Sequence, residues 1–329
     1  MKKTSNESRL GRFSYLLNGG AKPRRNHVLM IALVLVAMLS FAGVVSADNY
    51  WKGAAPSQAI TGTVTGDVDA KFANTWKTDN PINNDNTTAT FSGLTTSDVQ
   101  FARLYIVPYT ASMTENWQGT LSVTLTPSGG TPVVLANKQP LDLAYVNSTG
   151  MAPNTSVSSP LVKLNRVTSD YVAVFDVTNY ITASTVTLDI STTNVSGRFD
   201  GRIKEAKLVY GWNQAGGSQT KYWINEGQDP STKDDPSYVG VTNFNGIPDL
   251  DYITSATLYT DDIASANGVY TWNSASVTPS TIGSNSYARL NQFTPIDPAD
   301  IDTDNDFTYD RAGTNSWYKL AVAILKVKY

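Results

Sequence analysis

The 329 residues contain no Cys and a single His, His27, and their charge is divided: residues 1–47 hold seven Lys and Arg against one Glu, and residues 48–329 hold eighteen cationic against twenty-seven acidic side chains. Past His27 this removes Ser-His-Asp and Cys-His nucleophiles, His general bases, and ordinary zinc, haem and iron–sulfur ligation. An acidic body without a Lys/Arg cluster argues against nucleic acid as a partner, and a chain without Cys must hold together without disulfides.

Residues 1–27 form a basic segment, and residues 28–45, VLMIALVLVAMLSFAGVV, follow with no charge for eighteen positions. Val45-Ser46-Ala47 then supplies small residues of the kind cut by signal peptidase. Residues 28–47 are thus expected to act as a signal peptide. Eighteen apolar residues also approach the length needed to span a bilayer, so an uncleaved signal anchor is the alternative. In either case the basic flank stays in the cytoplasm and residues 48–329 lie outside it. The expected location is extracellular or cell-surface, with membrane attachment through residues 28–45 if the leader is kept.

Beyond Ala47 the pattern is that of short β-runs between Gly, Pro, Asn, Asp and Ser. Leu121–Leu125 (LSVTL), Val172–Val177 (VAVFDV) and Val186–Ile190 (VTLDI) alternate with period two, and Pro127-Ser-Gly-Gly130 marks a turn before Pro132-Val-Val-Leu135. Many short strands with turn signals between them predict an all-β fold of antiparallel sandwich or jelly-roll type. Ala102-Arg-Leu-Tyr105 is echoed by Ala256-Thr-Leu-Tyr259, Val186-Thr-Leu-Asp189 by Phe307-Thr-Tyr-Asp310, and Ala206–Tyr210 by Ala323–Tyr329. These echoes predict two related modules at 98–215 and 251–329, joined by a connector at 216–250. Residues 48–97 are expected to be first strands and a stalk, because the polar run 79–86 has little to bury.

Four groups of residues carry the functional expectations. Asp302, Asp304 and Asp306 have the alternate spacing that can surround a calcium ion. The helix-loop-helix calcium motif is excluded by Phe307 at its Gly position and by the lack of a Glu at its last position, leaving a looser β-loop site or a solvated acidic loop. The seven Trp all lie beyond residue 47; Trp117 and Trp212, flanked by Asn and Gln, are the candidates for contact with carbohydrate or a partner, against the ordinary role of Trp as core. Asn86, Asn147, Asn154 and Asn194 are N-x-[ST] sequons suited to glycans. Residues 48–329 contain three Glu, Glu115, Glu205 and Glu226, so an acid–base pair for glycoside hydrolysis would have to come largely from Asp.

The run Lys221-Tyr-Trp-Ile-Asn-Glu-Gly-Gln-Asp229 resembles an uncharacterised family of methanogen cell-surface proteins, the domain of unknown function numbered 3344. It follows Phe175–Tyr180 (FDVTNY), Asp200-Gly-Arg202 and Ala206–Gly211, and precedes Thr242–Gly246 (TNFNG) and Ala256–Thr260. The resemblance covers roughly residues 60–329. It implies an archaeal envelope location and a β-rich fold, and it implies no activity. The expectation that follows is an exported, non-catalytic cell-surface protein with a structural or adhesive role, whose partners are envelope proteins or surface glycans. The alternative is a carbohydrate-binding β-sandwich, with calcium as its one conceivable cofactor, and an Asp/Glu hydrolase stands behind both.

Overall fold

The computed structural model describes residues 53–110, 115–143, 158–232, 235–263, 268–313 and 317–329. The basic segment 1–27, the leader 28–47, Asn147 and Asn154 lie outside the described residues. Among the described residues no helix is long and apolar enough to cross a membrane.

The fold is all-β and antiparallel, as the alternation predicts. Its first module carries β1 (Ala54–Asn74), β2 (Asn84–Ser92), β3 (Val99–Pro108), β4 (Trp117–Pro127), β5 (Val133–Leu143), β6 (Leu161–Val167), β7 (Asp170–Asp176), β8 (Thr185–Gly197) and β9 (Ile203–Asn213). The second carries β10 (Gln219–Ser231), β11 (Gly240–Asn245), β12 (Ser255–Asp262), β13 (Gly268–Trp272), β14 (Ala275–Val277), β15 (Ser280–Ser284), β16 (Arg289–Ile296), β17 (Asp304–Arg311) and β18 (Tyr318–Lys328).

In the first module β1-β9-β3-β7-β6 faces β2-β8-β4-β5; in the second β10-β18-β12-β16-β15 faces β11-β17-β13-β14. Each strand of the second module occupies the place of the strand nine earlier in the first. The register agrees in detail. The β3–β9 ladder slips between Val107 and Pro108, and the β12–β18 ladder slips between Asp261 and Asp262, the same place in each repeat when counted from Ala102 and Ala256. The duplication is therefore complete, and its boundaries differ from those expected from the echoes. The segment read as a connector, 216–250, supplies β10 and β11. Residues 219–231 lie inside a sheet, between β1 and β18, and from Tyr222 onward their side chains, polar and apolar, are buried on both faces. Residues 54–74, read as part of a stalk, form the longest strand. Its first half pairs with β10 and its second half with β9, which fuses the two large sheets into one of ten strands. The polar run 79–86 is a loop up to residue 83, and from Asn84 on it is the first part of β2.

Three cores follow from the alternation of side chains across the strands. Ala102, Leu104 and Ile106 of β3 join Trp117, Leu121, Val123, Leu188 and Ile190 inside the first sandwich. Trp223, Leu258, Trp272, Phe293, Phe307, Tyr309 and Leu325 fill the second. The opposite faces of the same large sheets form a third: Phe101, Tyr105, Val107, Val172 and Val209 of the first module pack with Tyr222, Tyr259, Leu290, Val322 and Ile324 of the second. The two sandwiches thus meet through an apolar interface, and that interface carries the charged groups considered next.

Candidate functional site

A cavity of about 340 Å³ opens where the two modules meet. Its first-module side comes from the loop after β1 (Trp76, Asp79), the residue after β3 (Tyr109), the β6–β7 turn with the first residue of β7 (Thr168, Asp170), and the start of β9 with the residue before it (Lys204, Arg202). Its second-module side comes from the residue after β12 (Ile263), the turn before β16 (Tyr287), and the start of β18 (Trp317, Lys319). Tyr109 and Ile263 hold matching places in the two repeats, as do Arg202 and Lys319 by ladder register. Both modules therefore offer the same corner to the cavity, and the substitutions within that corner make it asymmetric.

The floor is ionic. Asp170, buried at the start of β7, receives Lys319 Nζ at 2.6 Å on Oδ2, and Lys204 Nζ lies 2.8 Å from Oδ1. Lys319 also donates to Thr168 Oγ1 at 2.7 Å and to Val167 O at 3.0 Å, so its three protons are all placed. Thr168 holds this turn with φ of +54°, a left-handed conformation that a β-branched residue adopts only under constraint. Burial alone would raise the Asp170 carboxyl; the two ammonium groups overcome it and hold the group below the ordinary aspartate value. Lys319 is shifted down by the same burial.

The wall is aromatic. Arg202 forms a forked pair with Asp200, at 3.0 and 2.6 Å, and its remaining arm donates to the carbonyls of Asp79 (2.6 Å) and Thr78 (3.4 Å). Fixed in this way, the guanidinium lies 4.7 Å from the Trp76 ring centre and 4.9 Å from that of Tyr109. Trp76 packs on Tyr287 of the other module at 4.4 Å and donates its indole N–H to Asp79 at 3.0 Å. Asn285, in the same turn as Tyr287, donates to Lys204 O at 2.7 Å and ties that turn to the first module. Trp317 stands at the rim, 38% exposed.

The residues singled out from the sequence fall elsewhere. Trp117 is not a surface platform: it is buried in the first core against Phe199, with the Arg166 guanidinium 4.9 Å from its ring centre. The polar neighbours Asn116 and Gln118 face outward because a strand alternates, and that alternation sends Trp117 inward. Trp212 is half-buried, stacked on Tyr210 at 5.1 Å and packed against the first core, away from the cavity. Asp302, Asp304 and Asp306 are not brought together; among the described residues no three acidic side chains gather as a metal site. Asp304 and Asp306 are exposed on β17, with Asp304 accepting the Gly246 N–H at 3.1 Å, while the intervening Asn305 turns inward and organises the loop by accepting Asp302 N–H at 2.9 Å. Asn86 is exposed on β2, an edge strand. Asn194 is half-buried and donates to Gly197 O at 3.2 Å.

A family model described as "Protein of unknown function (DUF3344)" matches residues 50–328. The chain belongs to the DUF3344 family. No curated protein matches its sequence. Among solved structures, the DUF3344 chain is similar to BuGH86 in complex with neoagarooctaose, at 9% identity and TM-score 0.26, over 80% of this chain and 33% of that one. It is also similar to PNGase F, a glycosylasparaginase from Flavobacterium meningosepticum, at 10% identity and TM-score 0.25, over 80% and 96%. A third is the infectious bursal disease virus Gx strain structure, at 10% identity and TM-score 0.21, over 82% and 41%. The chain spans about a third of the length of BuGH86. Likenesses at these scores leave the function of the DUF3344 chain to its own residues.

Proposed function

We propose that this DUF3344 protein is a non-catalytic cell-surface protein that binds carbohydrate in the cleft between its two modules. The observation that carries the reading is the aromatic wall of Trp76, Tyr109 and Tyr287 above the Asp170, Lys204 and Lys319 floor, around about 340 Å³ of space. Small-molecule sites fall in the range of roughly 300–1,000 Å³ with apolar walls and a few fixed polar groups. Sugars present apolar C–H faces that lie on aromatic rings and hydroxyl edges that bond to charged side chains. Arg202, Lys204 and Lys319 are balanced by Asp79, Asp170 and Asp200, so the cleft favours a neutral saccharide over an acidic one. The carboxylates also favour binding over catalysis. Asp170 is held ionised by two lysines, whereas general acid catalysis needs a carboxyl that keeps its proton. Residues 28–45 would deliver the protein to the surface, where envelope glycans or envelope proteins are its partners.

A glycan array probed with the full chain tests this, followed by titration of a neutral oligosaccharide it retains. Trp76→Ala and Tyr287→Ala are expected to abolish retention with the fold intact, while Trp212→Ala keeps it. An array with no retained glycan, or retention unchanged in both cleft variants, overturns the reading.

A further inference from the structure

Behind the cleft floor, inside the interface between modules, lies a second charged group that the binding site does not use. Lys207 of β9, Glu205 two residues before it on the same face, and Asp261 of β12 are each no more than 1% exposed. Lys207 Nζ contacts Glu205 Oε1 on one side and Asp261 Oδ1 on the other. The first two residues belong to one module and the third to the other. Across the ladders Lys207 is flanked by Phe72 and Tyr105, and Asp261 by Leu290 and Val322, so the surroundings are apolar. No donor is aligned as a hydrogen bond on either oxygen of Asp261 or on Oε2 of Glu205. A buried ion pair is tolerated when further hydrogen bonds complete it; here two carboxylates share one ammonium and three of their oxygens are left without an aligned donor.

The geometry points to a covalent solution: an amide bond between Lys207 Nζ and Asp261 Cγ, formed with Glu205 as the proton carrier, which staples the two modules together. In the balanced reaction the ammonium of Lys207 first gives a proton, through Glu205, to the Asp261 carboxylate, leaving a free amine and a carboxylic acid. The amine nitrogen attacks Asp261 Cγ and the C–N bond forms. Glu205 then accepts a second proton from nitrogen and delivers it to the Asp261 hydroxyl, which leaves as water when its C–O bond breaks. Glu205 ends as it began, and neither oxidant nor cofactor is consumed. Burial favours the forms this requires, since it pushes the Glu205 carboxyl up towards its protonated state and the Lys207 ammonium down towards the free amine. Exclusion of water, which the third core provides, also removes the agent of the reverse hydrolysis. In a chain with no Cys, such a bond constrains the unfolded state as a disulfide would.

Mass spectrometry of a tryptic digest of the full chain decides this without reference to ligand binding. Lys207 in an amide resists trypsin, so the expected product is a branched species joining segments 205–221 and 234–289, lighter than their sum by one water. Lys207→Arg is expected to be cut after residue 207 and to release segment 234–289 at its unmodified mass. Glu205→Gln, which keeps the side chain's volume, is expected to leave the protein folded by circular dichroism and its Lys207 cleavable. A wild-type digest in which trypsin cuts after Lys207 and segment 234–289 appears at its unmodified mass overturns the bond. A branched species in Glu205→Gln overturns the role given to Glu205.

Discussion

Asp170 of the first module and Lys319 of the second meet at 2.6 Å under the cleft, and the same carboxylate holds Lys204 of the first module at 2.8 Å. One buried acid therefore serves as inter-module latch and as the floor of the candidate site. Asp170→Asn keeps the shape and removes the charge, leaving two buried ammonium groups without a counterion. Breaking a buried pair in this way costs about 3–5 kcal/mol, and the expected result is a lower urea midpoint for Asp170→Asn.

The pH dependence of that loss is also set. The folded-state pKa of Asp170 lies below its ordinary value, so the stability it contributes is present in full above about pH 3.9, the usual aspartate value. It disappears as pH falls through the lower folded-state value. Urea midpoints of wild type and Asp170→Asn should be well separated at pH 7 and converge in acid below pH 3.9.

The sequence showed the fold class and the duplication but not the site, for a physical reason. Period-two runs such as LSVTL in β4 mark strands directly, and the A-x-L-Y echoes mark β3 and β12 as repeats. The run YWINEGQD defeated that reading. Buried on both faces in mid-sheet, it does not alternate, and its Asn225, Glu226 and Asp229 suggested a loop. The cleft gathers residues from positions 76 to 319, and Asp170, Lys204 and Lys319 become a set only when β7, β9 and β18 converge. The sole signal within reach was Asp200-Gly-Arg202, whose short spacing permits the forked pair that the structure contains.

Trp117 and Trp212 separate core from surface. Trp117 is fully enclosed by the first core, including Phe199 and Tyr171. Trp117→Ala is expected to cost about 3–5 kcal/mol, the usual range for a buried large aromatic. Trp212 retains solvent contact and should lose less. Thermal melts of the two variants check the order, and equal shifts would contradict the placement of Trp117.

Calcium should have little effect on stability. Asp304 and Asp306 point to solvent from one strand and Asp302 precedes it, with Asn305 already bonded to Asp302 N, Asp302 O and Phe244 O. A cation that binds the folded state raises Tm with concentration. The expected Tm is the same in chelator and in millimolar calcium, and a rise that is lost in the triple Asp→Asn variant would restore the site.

Asp229, at the end of the YWINEGQD run, is a buried carboxyl held by two phenols, Tyr238 at 2.5 Å and Tyr309 at 2.6 Å. Among the described residues no cation is paired with it. Burial raises its pKa above the ordinary value, although both hydrogen bonds oppose the rise. Tyr309 stays a donor throughout, since burial and the adjacent carboxyl push its own pKa far up. Tyr309→Phe removes one of the two bonds to the anion, and hydrogen bonds to charged groups are worth about 1.5–3 kcal/mol. The sign of the pH effect follows from the raised pKa. The folded state holds the Asp229 proton more tightly than the unfolded state, so its contribution declines as pH rises from about 3.9 through the folded value. Losing a donor to the anion raises that folded value further and extends the decline. The stability difference between wild type and Tyr309→Phe should thus be small in acid, where both carboxyls are protonated, and grow to its full size at neutral pH. Urea unfolding at several pH values measures it, and a difference independent of pH would mean that Asp229 is not the acceptor that matters.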